Sequence, residues 1–433
     1  MSVPEATPAG AAPAAARLEL WERVHDALRE RRHEPVFLTG RRVLRGAEVA
    51  RRLEQAAHLL GAGGVGPGSV ALLAVRPGVE AFVATLALVR LGATATPMDP
   101  GAGPELFRSR IRLLRPSAVV AESLLYAASA RGPFRRYLRG RGLELPDLRA
   151  IPARHFRLGP WLPGCPTASV RLDARPRPDD VGPGAIRLPG PGDLGPEPAL
   201  VVFTSGTTGR PKGVQHSPSS ALATVLAIRE HLHVDRDAVL LNYTLHSLLA
   251  AVLAGVPTRI APLRPRPGPW LEVVRRHRVT TAFLRPSEAA RVVAHCERTG
   301  VVLPGSLQTL YLYSAPVTDA FLERLHAVAR DGFRAFTVYG MTEALPVAWA
   351  DSRKRLRRGG DGDWVGWPVP ELELRVGPSG TLQLRGPTVH QGYLGEAPVE
   401  WHDTGDLARL EPDGSLTLLG RAKDMILRDG LNI

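Results

Sequence analysis

Helical segments and short apolar strands alternate along most of the chain, and this alternation restricts the fold more than any other feature. From Leu18 to about Ala150, helical stretches such as LELWERVHDALRERR alternate with strands such as VALLAVRP. A second alternation follows, with strands at ALVVFTS, VTTAFL, TLYLYS and FRAFTVYG. Such a pattern is typical of an α/β sheet whose strands are connected by helices. We therefore predict two α/β lobes with mixed sheets flanked by helices.

Two other stretches have different patterns. Residues 159–198 are rich in Pro and Gly, as expected of a linker or surface excursion. From about Trp364 the helical period disappears, and short strands alternating with Gly, Pro and Asp turns predict a small antiparallel β lobe. The predicted order is a disordered leader at 1–17, the first lobe at 18–158, the linker at 159–198, the second lobe at 199–363, the small β lobe at 364–420 and a last segment at 421–433.

Composition excludes several classes of protein. The 433 residues are 44% hydrophobic and 22% charged, as in soluble globular proteins. The net charge of +13 does not predict a nucleic-acid partner, because the basic residues are scattered and form no cluster interleaved with aromatics. Cys165 and Cys296 lie far apart, which predicts neither a disulfide framework nor a zinc site. With no secretion signal and no apolar run of membrane-spanning length, we expect a cytoplasmic protein without a transmembrane segment.

The stretch VVFTSGTTGRPKGV, residues 201–214, carries the strongest chemical signal. A strand that runs into so many glycines gives up side-chain packing for backbone freedom. Backbone amides, hydroxyl groups and one ammonium group can then surround a phosphate. The spacing is not that of the GxxxxGK[ST] loop, and a polar surface hairpin is the alternative on composition alone. The candidate residues are Thr204, Ser205, Gly206, Thr207, Thr208, Gly209 and Lys212.

The lysine in this loop is unusual for the chain. Only three of its 55 basic residues are lysines. A lysine at position 212 therefore indicates a place where a compact point charge fits and a planar guanidinium does not.

TSGTTGRPKG resembles the loop that characterises the adenylate-forming superfamily, which includes acyl-CoA synthetases and nonribosomal adenylation domains. The resemblance implies that the loop and Lys212 bind ATP. A second segment, YGMTE, residues 339–343, resembles the family's YGxTE. It implies that Tyr339 lies against adenine, that Gly340 and Met341 belong to the same nucleotide site, that Thr342 contacts the α-phosphate and that Glu343 ligates Mg²⁺. A hard cation prefers such carboxylate oxygens.

Further segments, on both sides of YGMTE, occur in the family's order along the chain. Ser314, Ala315 and Pro316 stand where the family has GGAPL, a turn that borders adenine, although the first two residues of that pattern differ here. GPTVHQGYLG resembles the family's GPxVxxGY, and WHDTGDL resembles its TGD segment. The latter implies that Asp406 accepts both ribose hydroxyls, which suits a carboxylate with two oxygens, and that Arg421 assists. His246 stands where many relatives have an acyl-pocket histidine; a packed core residue is the alternative.

The resemblance extends from about Leu18 to Ile433 and reaches the family's hinge at GRAKDMILRDGLNI, with Lys423 at the pivot position. The family has a further C-terminal domain, which supplies a catalytic lysine and the tunnel for a pantetheine thiol. We expect that domain to be missing here.

These motifs predict ATP-dependent activation of a carboxylic acid, of the fatty class, to an acyl adenylate. CoA or another pantetheine thiol is the expected acceptor, with a C-terminal domain or carrier protein acting in trans. Two alternatives stay open. RPGVEAFVATLALVRLGATATPMDPG and YGMTEALPVA resemble β-lactone synthetases of olefin biosynthesis. A truncated nucleotide-binding or acyl-binding protein without turnover is the other.

Overall fold

The structure is a computed structural model. It describes residues 11–40, 42–99, 101, 103–130, 132–141, 144–173, 187–204, 211–235, 237–422, 427–428 and 431–432. Its helices are α1 Ala11–Glu30, α2 Gly46–Ala62, α3 Val79–Arg90, α4 Pro104–Leu114, α5 Ser123–Ser129, α6 Pro133–Gly140, α7 Pro218–His231, α8 Leu245–Leu253, α9 Pro267–Arg276, α10 Pro286–Thr299, α11 Asp319–Ala327 and α12 Ser352–Arg358.

The strands are more numerous than the helices. The first nine are β1 Pro35–Thr39, β2 Arg42–Arg45, β3 Val70–Ala74, β4 Thr94–Pro97, β5 Ala118–Glu122, β6 Arg154–Leu158, β7 Val170–Arg171, β8 Leu200–Thr204 and β9 Lys212–His216. The others are β10 Leu240–Asn242, β11 Thr258–Ile260, β12 Thr281–Leu284, β13 Thr309–Tyr313, β14 Arg334–Met341, β15 Ala344–Asp351, β16 Asp363–Pro368, β17 Glu373–Val376, β18 Thr381–Arg385, β19 Gly392–Tyr393, β20 His402–Leu410, β21 Leu416–Arg421, β22 Leu427–Arg428 and β23 Leu431–Asn432.

The chain divides into two compact units. The first consists of Met1–Phe37, Arg42–Leu222 and His390–Pro398. Its sheet has the strand order β19-β9-β8-β4-β3-β5-β6-β7. Strands β3 to β8 pair in parallel, whereas β8 with β9 and β9 with β19 pair antiparallel. The near-continuous burial of β3, VALLA, is typical of a parallel sheet covered on both faces.

The second unit consists of Leu38–Arg41, Ala223–Val389 and Val399–Ile433. Its strands follow the order β17-β18-β20-β21-β16-β15-β14-β13-β12-β10-β11. The segment from β11 to β14 is parallel, and every pairing from β14 to β17 is antiparallel. Its core includes Trp270 from α9, Val293 from α10 and Leu322 from α11, each at most 2% exposed.

The predicted fold class is confirmed, since both units are mixed α/β sheets with helices. Several expected boundaries differ. Residues 11–17, expected to be a disordered leader, form the first part of helix α1. Arg17 is fully buried there, and its Nη1 donates to the carbonyl of Ala93 at 3.3 Å, which anchors this segment to the rest of the first unit. Residues 199–222 belong to the first unit, since β8 pairs with β4 there. The predicted small β lobe continues the second unit's sheet through the pairing of β16 with β15.

Within the predicted linker, the structure has β7 and a short 3₁₀ helix, Pro191–Asp193, while residues 174–186 lie outside the described residues. In the described part of the chain, none of the helices combines the length and the apolar content that a membrane crossing requires.

Strand β16 contains a bulge at a glycine that no other residue could replace without strain. The register between β16 and β21 shifts between Trp364 and Gly366. Gly366 has a φ of 87°, and a Cβ atom built on it would lie 1.9 Å from the carbonyl oxygen of Trp349. The bulge therefore brings two backbone segments closer than a side chain allows.

We predict that Gly366→Ala lowers the free energy of unfolding by about 2 to 5 kcal/mol, from left-handed strain and from the collision with Trp349. Gly414→Ala is the matched control: Gly414 has a φ of 78°, and a Cβ atom at this position would meet nothing within 4 Å, so the variant reports the strain alone. Urea unfolding followed by tryptophan fluorescence measures both. Equal losses in the two variants would contradict the proposed collision.

Candidate functional site

A cavity of about 600 Å³ lies in the second unit, at the carboxyl ends of β13 and β14. This is the end of a parallel sheet at which open α/β proteins bind ligands. The size lies within the range of small-molecule sites. Seven of the residues predicted from the sequence line the cavity: Ser314, Ala315, Pro316, Tyr339, Gly340, Asp406 and Arg421.

The carboxylate of Asp406 is the electrostatic centre of this cavity. Asp406 is only 6% exposed and pairs in register with Arg421 across β20 and β21. The Nε of Arg421 lies 2.7 Å from Oδ1, and the Oη of Tyr339 donates to Oδ2 at 2.6 Å. Burial, and secondarily the Asp406 charge, hold the pKa of Tyr339 well above its ordinary value. The phenol therefore stays protonated and keeps donating to the carboxylate.

A carboxylate oxygen has two lone pairs, so it can accept more than one hydrogen bond at a time. The backbone amide of Asp406 is itself satisfied by the Oγ1 of Thr404 at 3.0 Å. The result is a preoriented, charged acceptor facing a cavity, which suits neighbouring hydroxyl groups on a ligand.

The turn after β13 has an unusual backbone. Ser314 adopts a φ of 70°, in the left-handed region that favours glycine. Glycine, the residue of the family pattern at this position, adopts such a φ without the steric cost that serine has. The turn directs the backbone of Ser314, Ala315 and Pro316 along the cavity wall.

The YGMTE segment leaves the cavity part-way along. Tyr339 and Gly340 lie at a register shift between β14 and β15 and line the cavity. Met341 ends β14, and Thr342 and Glu343 form the turn before β15. These three residues are half-buried and are not among the cavity's described lining residues.

In the first unit, the predicted loop connects an antiparallel strand pair. Thr204 at the end of β8 lies opposite Lys212 at the start of β9. Residues Ser205, Gly206, Thr207, Thr208 and Gly209 lie outside the described residues, as does Lys423. The Nζ of Lys212 lies 4.5 Å from the centroid of the Tyr393 ring.

Three residues near these groups were missed by sequence reasoning. Tyr393 lies within GPTVHQGYLG, a segment that the resemblance singled out without giving this residue a role. Arg355 and Asp363 line the cavity and form an ion pair at 2.5 Å, and Arg355 also contacts Asp319 at 2.7 Å. Burial raises the pKa of Asp363, and Arg355 opposes that effect. Arg355 stands in the run DSRKRLRRGG, where composition does not distinguish one arginine from another.

His246 lies near the start of α8 and is half-buried, whereas the residues from Ser247 to Val252 are buried. Loss of solvation lowers the pKa of His246 to about 4. The imidazole is therefore neutral near pH 7. It is not one of the described residues lining the cavity, so its expected role in an acyl pocket stays a prediction.

The donor set for a metal is small. Within the described ranges, no group of three or more His, Cys, Asp or Glu side chains could hold a metal ion. A cation held mainly by one protein carboxylate and by oxygens of its substrate is compatible with that inventory, as is common for Mg²⁺.

Comparison with known proteins identifies the family. The sequence model of a protein family described as "AMP-binding enzyme" matches residues 24–394. The chain belongs to the AMP-binding enzyme family. The amide bond synthetase McbA from Marinactinospora thermotolerans has a similar fold, with a TM-score of 0.74, 23% identity and coverage of 96% of this chain and 81% of McbA. O-succinylbenzoate CoA synthetase from Bacillus subtilis, in complex with ATP and magnesium ion, gives a TM-score of 0.72 at 20% identity, covering 95% and 82%.

Curated relatives of this AMP-binding enzyme differ greatly in length. Nonribosomal peptide synthetase 8 of Aspergillus fumigatus is 28% identical over 83% of this chain, which spans only 4% of that protein. Salicyl-AMP ligase of Mycobacterium tuberculosis is 28% identical over 89% of this chain and 69% of the ligase. Membership of the adenylate-forming superfamily, predicted from the motifs, is confirmed.

We predict a pH dependence of stability from His246. The folded pKa of about 4 lies below the unfolded value of about 6.5, so unfolding takes up a proton between these values. The stabilising contribution is present above about pH 6.5 and is lost as the pH falls toward 4. From pH 7 to pH 5 these two pKa values correspond to a loss of about 2 kcal/mol in the free energy of unfolding. This figure is an upper limit, because His246 is only half-buried.

Urea unfolding of the wild type, His246→Leu and His33→Leu at pH 7 and pH 5 measures this contribution. His246→Leu should lose less stability on acidification than the wild type. His33→Leu, a change at an exposed histidine, should follow the wild type. A wild-type pH dependence that persists in His246→Leu would contradict the assignment.

Proposed function

We propose that this AMP-binding enzyme activates a small-molecule carboxylic acid with ATP. An oxygen of the acid attacks the α-phosphorus, the bond to the β-phosphate oxygen breaks, and acyl adenylate and pyrophosphate are the products. The observation that carries the proposal is the buried Asp406 carboxylate in the second unit's cavity, held by Tyr339 and Arg421. Such an acceptor pair matches the vicinal hydroxyls of a ribose.

In this proposal the chain's residues divide the work of binding. The cavity accepts the adenosine, with Tyr339 and the turn of Ser314, Ala315 and Pro316 along its walls and Arg421 beside the ribose or phosphate. Thr204 and the loop, with Lys212, bind phosphate oxygens, which an ammonium group attracts. Thr342 contacts the α-phosphate. Glu343 would hold Mg²⁺, which screens phosphate charge when bound.

The acid and its acceptor are finer proposals. The sequence predicts a fatty acid, with CoA or another pantetheine thiol receiving the acyl group. Salicyl-AMP ligase and 4-coumarate–CoA ligase 3 of rice, a relative 25% identical over 89% of this chain, are named for aromatic acids. A test of substrates must therefore compare both classes. Because one relative is a nonribosomal peptide synthetase, a carrier domain should also be tested as the acceptor of the acyl group.

The reaction predicts ATP–pyrophosphate exchange that depends on an added acid. We expect Lys212→Ala and Glu343→Ala to lower the exchange rate about a hundredfold to a thousandfold, as loss of one preorganised electrostatic group does. Lys354→Ala is the matched control, because Lys354 lies on α12 and has no proposed role. A panel of fatty and aryl acids would identify the substrate class. Exchange that is insensitive to both substitutions would exclude the assigned roles.

A second prediction concerns the ribose. Asp406→Asn should weaken ATP binding about tenfold to a hundredfold, since it removes charged hydrogen bonds. Calorimetry should also show that the wild type prefers ATP over 2′,3′-dideoxy-ATP and that Asp406→Asn largely loses this preference. Glu400→Gln, a change at an exposed carboxylate paired with Arg385, is the control. An undiminished preference in Asp406→Asn would place the ribose elsewhere.

A further inference from the structure

Strand β19 is a short segment that lies beside the strand carrying Lys212. Tyr393 pairs with Val214, and Gly392 pairs with Gln215, in antiparallel register. The amide of Leu394 donates to the carbonyl of Gly213 at 2.7 Å. The Nε2 of Gln215 donates to the carbonyl of Tyr393 at 3.1 Å. Strand β9 is thus hydrogen-bonded on both sides, to β8 and to β19.

Packing at Gly213 leaves little room for β9 to shift. A Cβ atom at this position would lie 3.1 Å from the Cβ of Leu394 and 3.2 Å from the Cγ1 of Val201. These contacts come from β8 on one side and from the segment after β19 on the other. The backbone next to Lys212 is therefore held in place while its side chain keeps four rotatable bonds.

The ring of Tyr393 restricts that side chain. Its centroid lies 4.5 Å from the Nζ of Lys212, within the distance at which an ammonium group is attracted to an aromatic face. The ring also packs against buried His390, with centroids 4.9 Å apart. Tyr393 therefore has a fixed backbone and a packed ring, and the ring provides a surface on which the ammonium group rests.

We propose that Tyr393 is a positioning residue for Lys212. Its ring holds the ammonium group at the start of β9, just after the predicted phosphate-binding loop, so that less side-chain freedom is lost when a triphosphate binds. The aromatic face acts on the lysine and does not contact the nucleotide. This inference rests on the proposed function, because the benefit is realised only if Lys212 binds phosphate.

The composition of the chain permits a direct test of the contact. Reductive methylation with ¹³C-formaldehyde labels the three lysines, and methylated lysine keeps its positive charge. The Lys212 methyl signal, assigned with Lys212→Arg, should be shifted by the ring current of Tyr393. Tyr393→Leu should move this signal toward the value of an unstructured lysine, and Tyr393→Phe should leave it shifted. The signal of Lys354, 5.2 Å from the ring of Trp367, serves as an internal reference.

The matched control is Tyr137→Leu. Tyr137 is 55% exposed, and its ring lies 5.1 Å from the guanidinium carbon of Arg141, so this variant removes a similar contact elsewhere in the same unit. We expect it to change neither the Lys212 signal nor exchange kinetics.

In ATP–pyrophosphate exchange, Tyr393→Leu should raise the KM for MgATP about twofold to thirtyfold, the range that corresponds to one cation–π contact. The KM for the acid should stay unchanged, and Tyr393→Phe should recover most of the loss. A Lys212 signal that does not move in Tyr393→Leu overturns the positioning role, whatever the kinetics. An unchanged KM for MgATP in an active Tyr393→Leu enzyme also overturns it. If the wild type neither catalyses exchange nor binds ATP, the proposed function fails, and the purpose assigned to the contact fails with it. The Lys212 methyl signal still shows whether the contact between Tyr393 and Lys212 exists.

Discussion

The hydrogen bond between Tyr339 and Asp406 requires the second unit's sheet to bend, and the cavity depends on that bend. Tyr339 is on β14 and Asp406 is on β20, four positions away in the strand order. In a flat sheet those strands would be about 19 Å apart, far beyond the reach of the two side chains. The observed distance of 2.6 Å therefore means that the antiparallel strands curl over the carboxyl end of β14. The bulge at Gly366 lies on β16, between these strands, where a sheet can change direction.

The same geometry accounts for the charges around the cavity. A buried carboxylate is costly unless partners satisfy it, and Asp406 has a phenol and a guanidinium. Asp363, which lies on β16 and also lines the cavity, is paired with the guanidinium of Arg355. The two pairs differ in exposure: the side chain of Arg421 is 53% exposed, whereas that of Arg355 is 8% exposed. Arg355 is therefore almost fully enclosed with its partners, whereas the side chain of Arg421 is open to solvent, as the role proposed for it requires.

Much of the fold class and part of the site follow from the sequence, because both depend on local patterns. Alternating helices and strands predict the mixed sheets, and Thr204 and Lys212 stand at strand ends as the loop pattern suggests. The resemblance assigned Tyr339 to adenine and Asp406 to the ribose, but their direct hydrogen bond was not predicted, since no periodicity encodes a sheet that curls. Residues 11–17 were misjudged because an Ala- and Pro-rich segment has the composition of a leader, while the burial of Arg17 depends on distant carbonyls. The return of residues 390–398 to the first unit was unpredictable, because β19 has two residues and therefore no measurable period.

The presence of a lysine at position 212 needs a different explanation from its contact with an aromatic ring. Arginines in this chain also lie over aromatic rings, as Arg110 does over Phe203 and Arg375 over Trp401. Attraction to a ring therefore does not select lysine. The shape of the donor separates the two residues. A guanidinium stacked on a ring has its donors fixed in a plane parallel to the ring, whereas an ammonium group keeps three rotatable donors, some of which point away from the ring. A cation that must rest on Tyr393 and still present hydrogens to oxygens on its other side is better served by lysine.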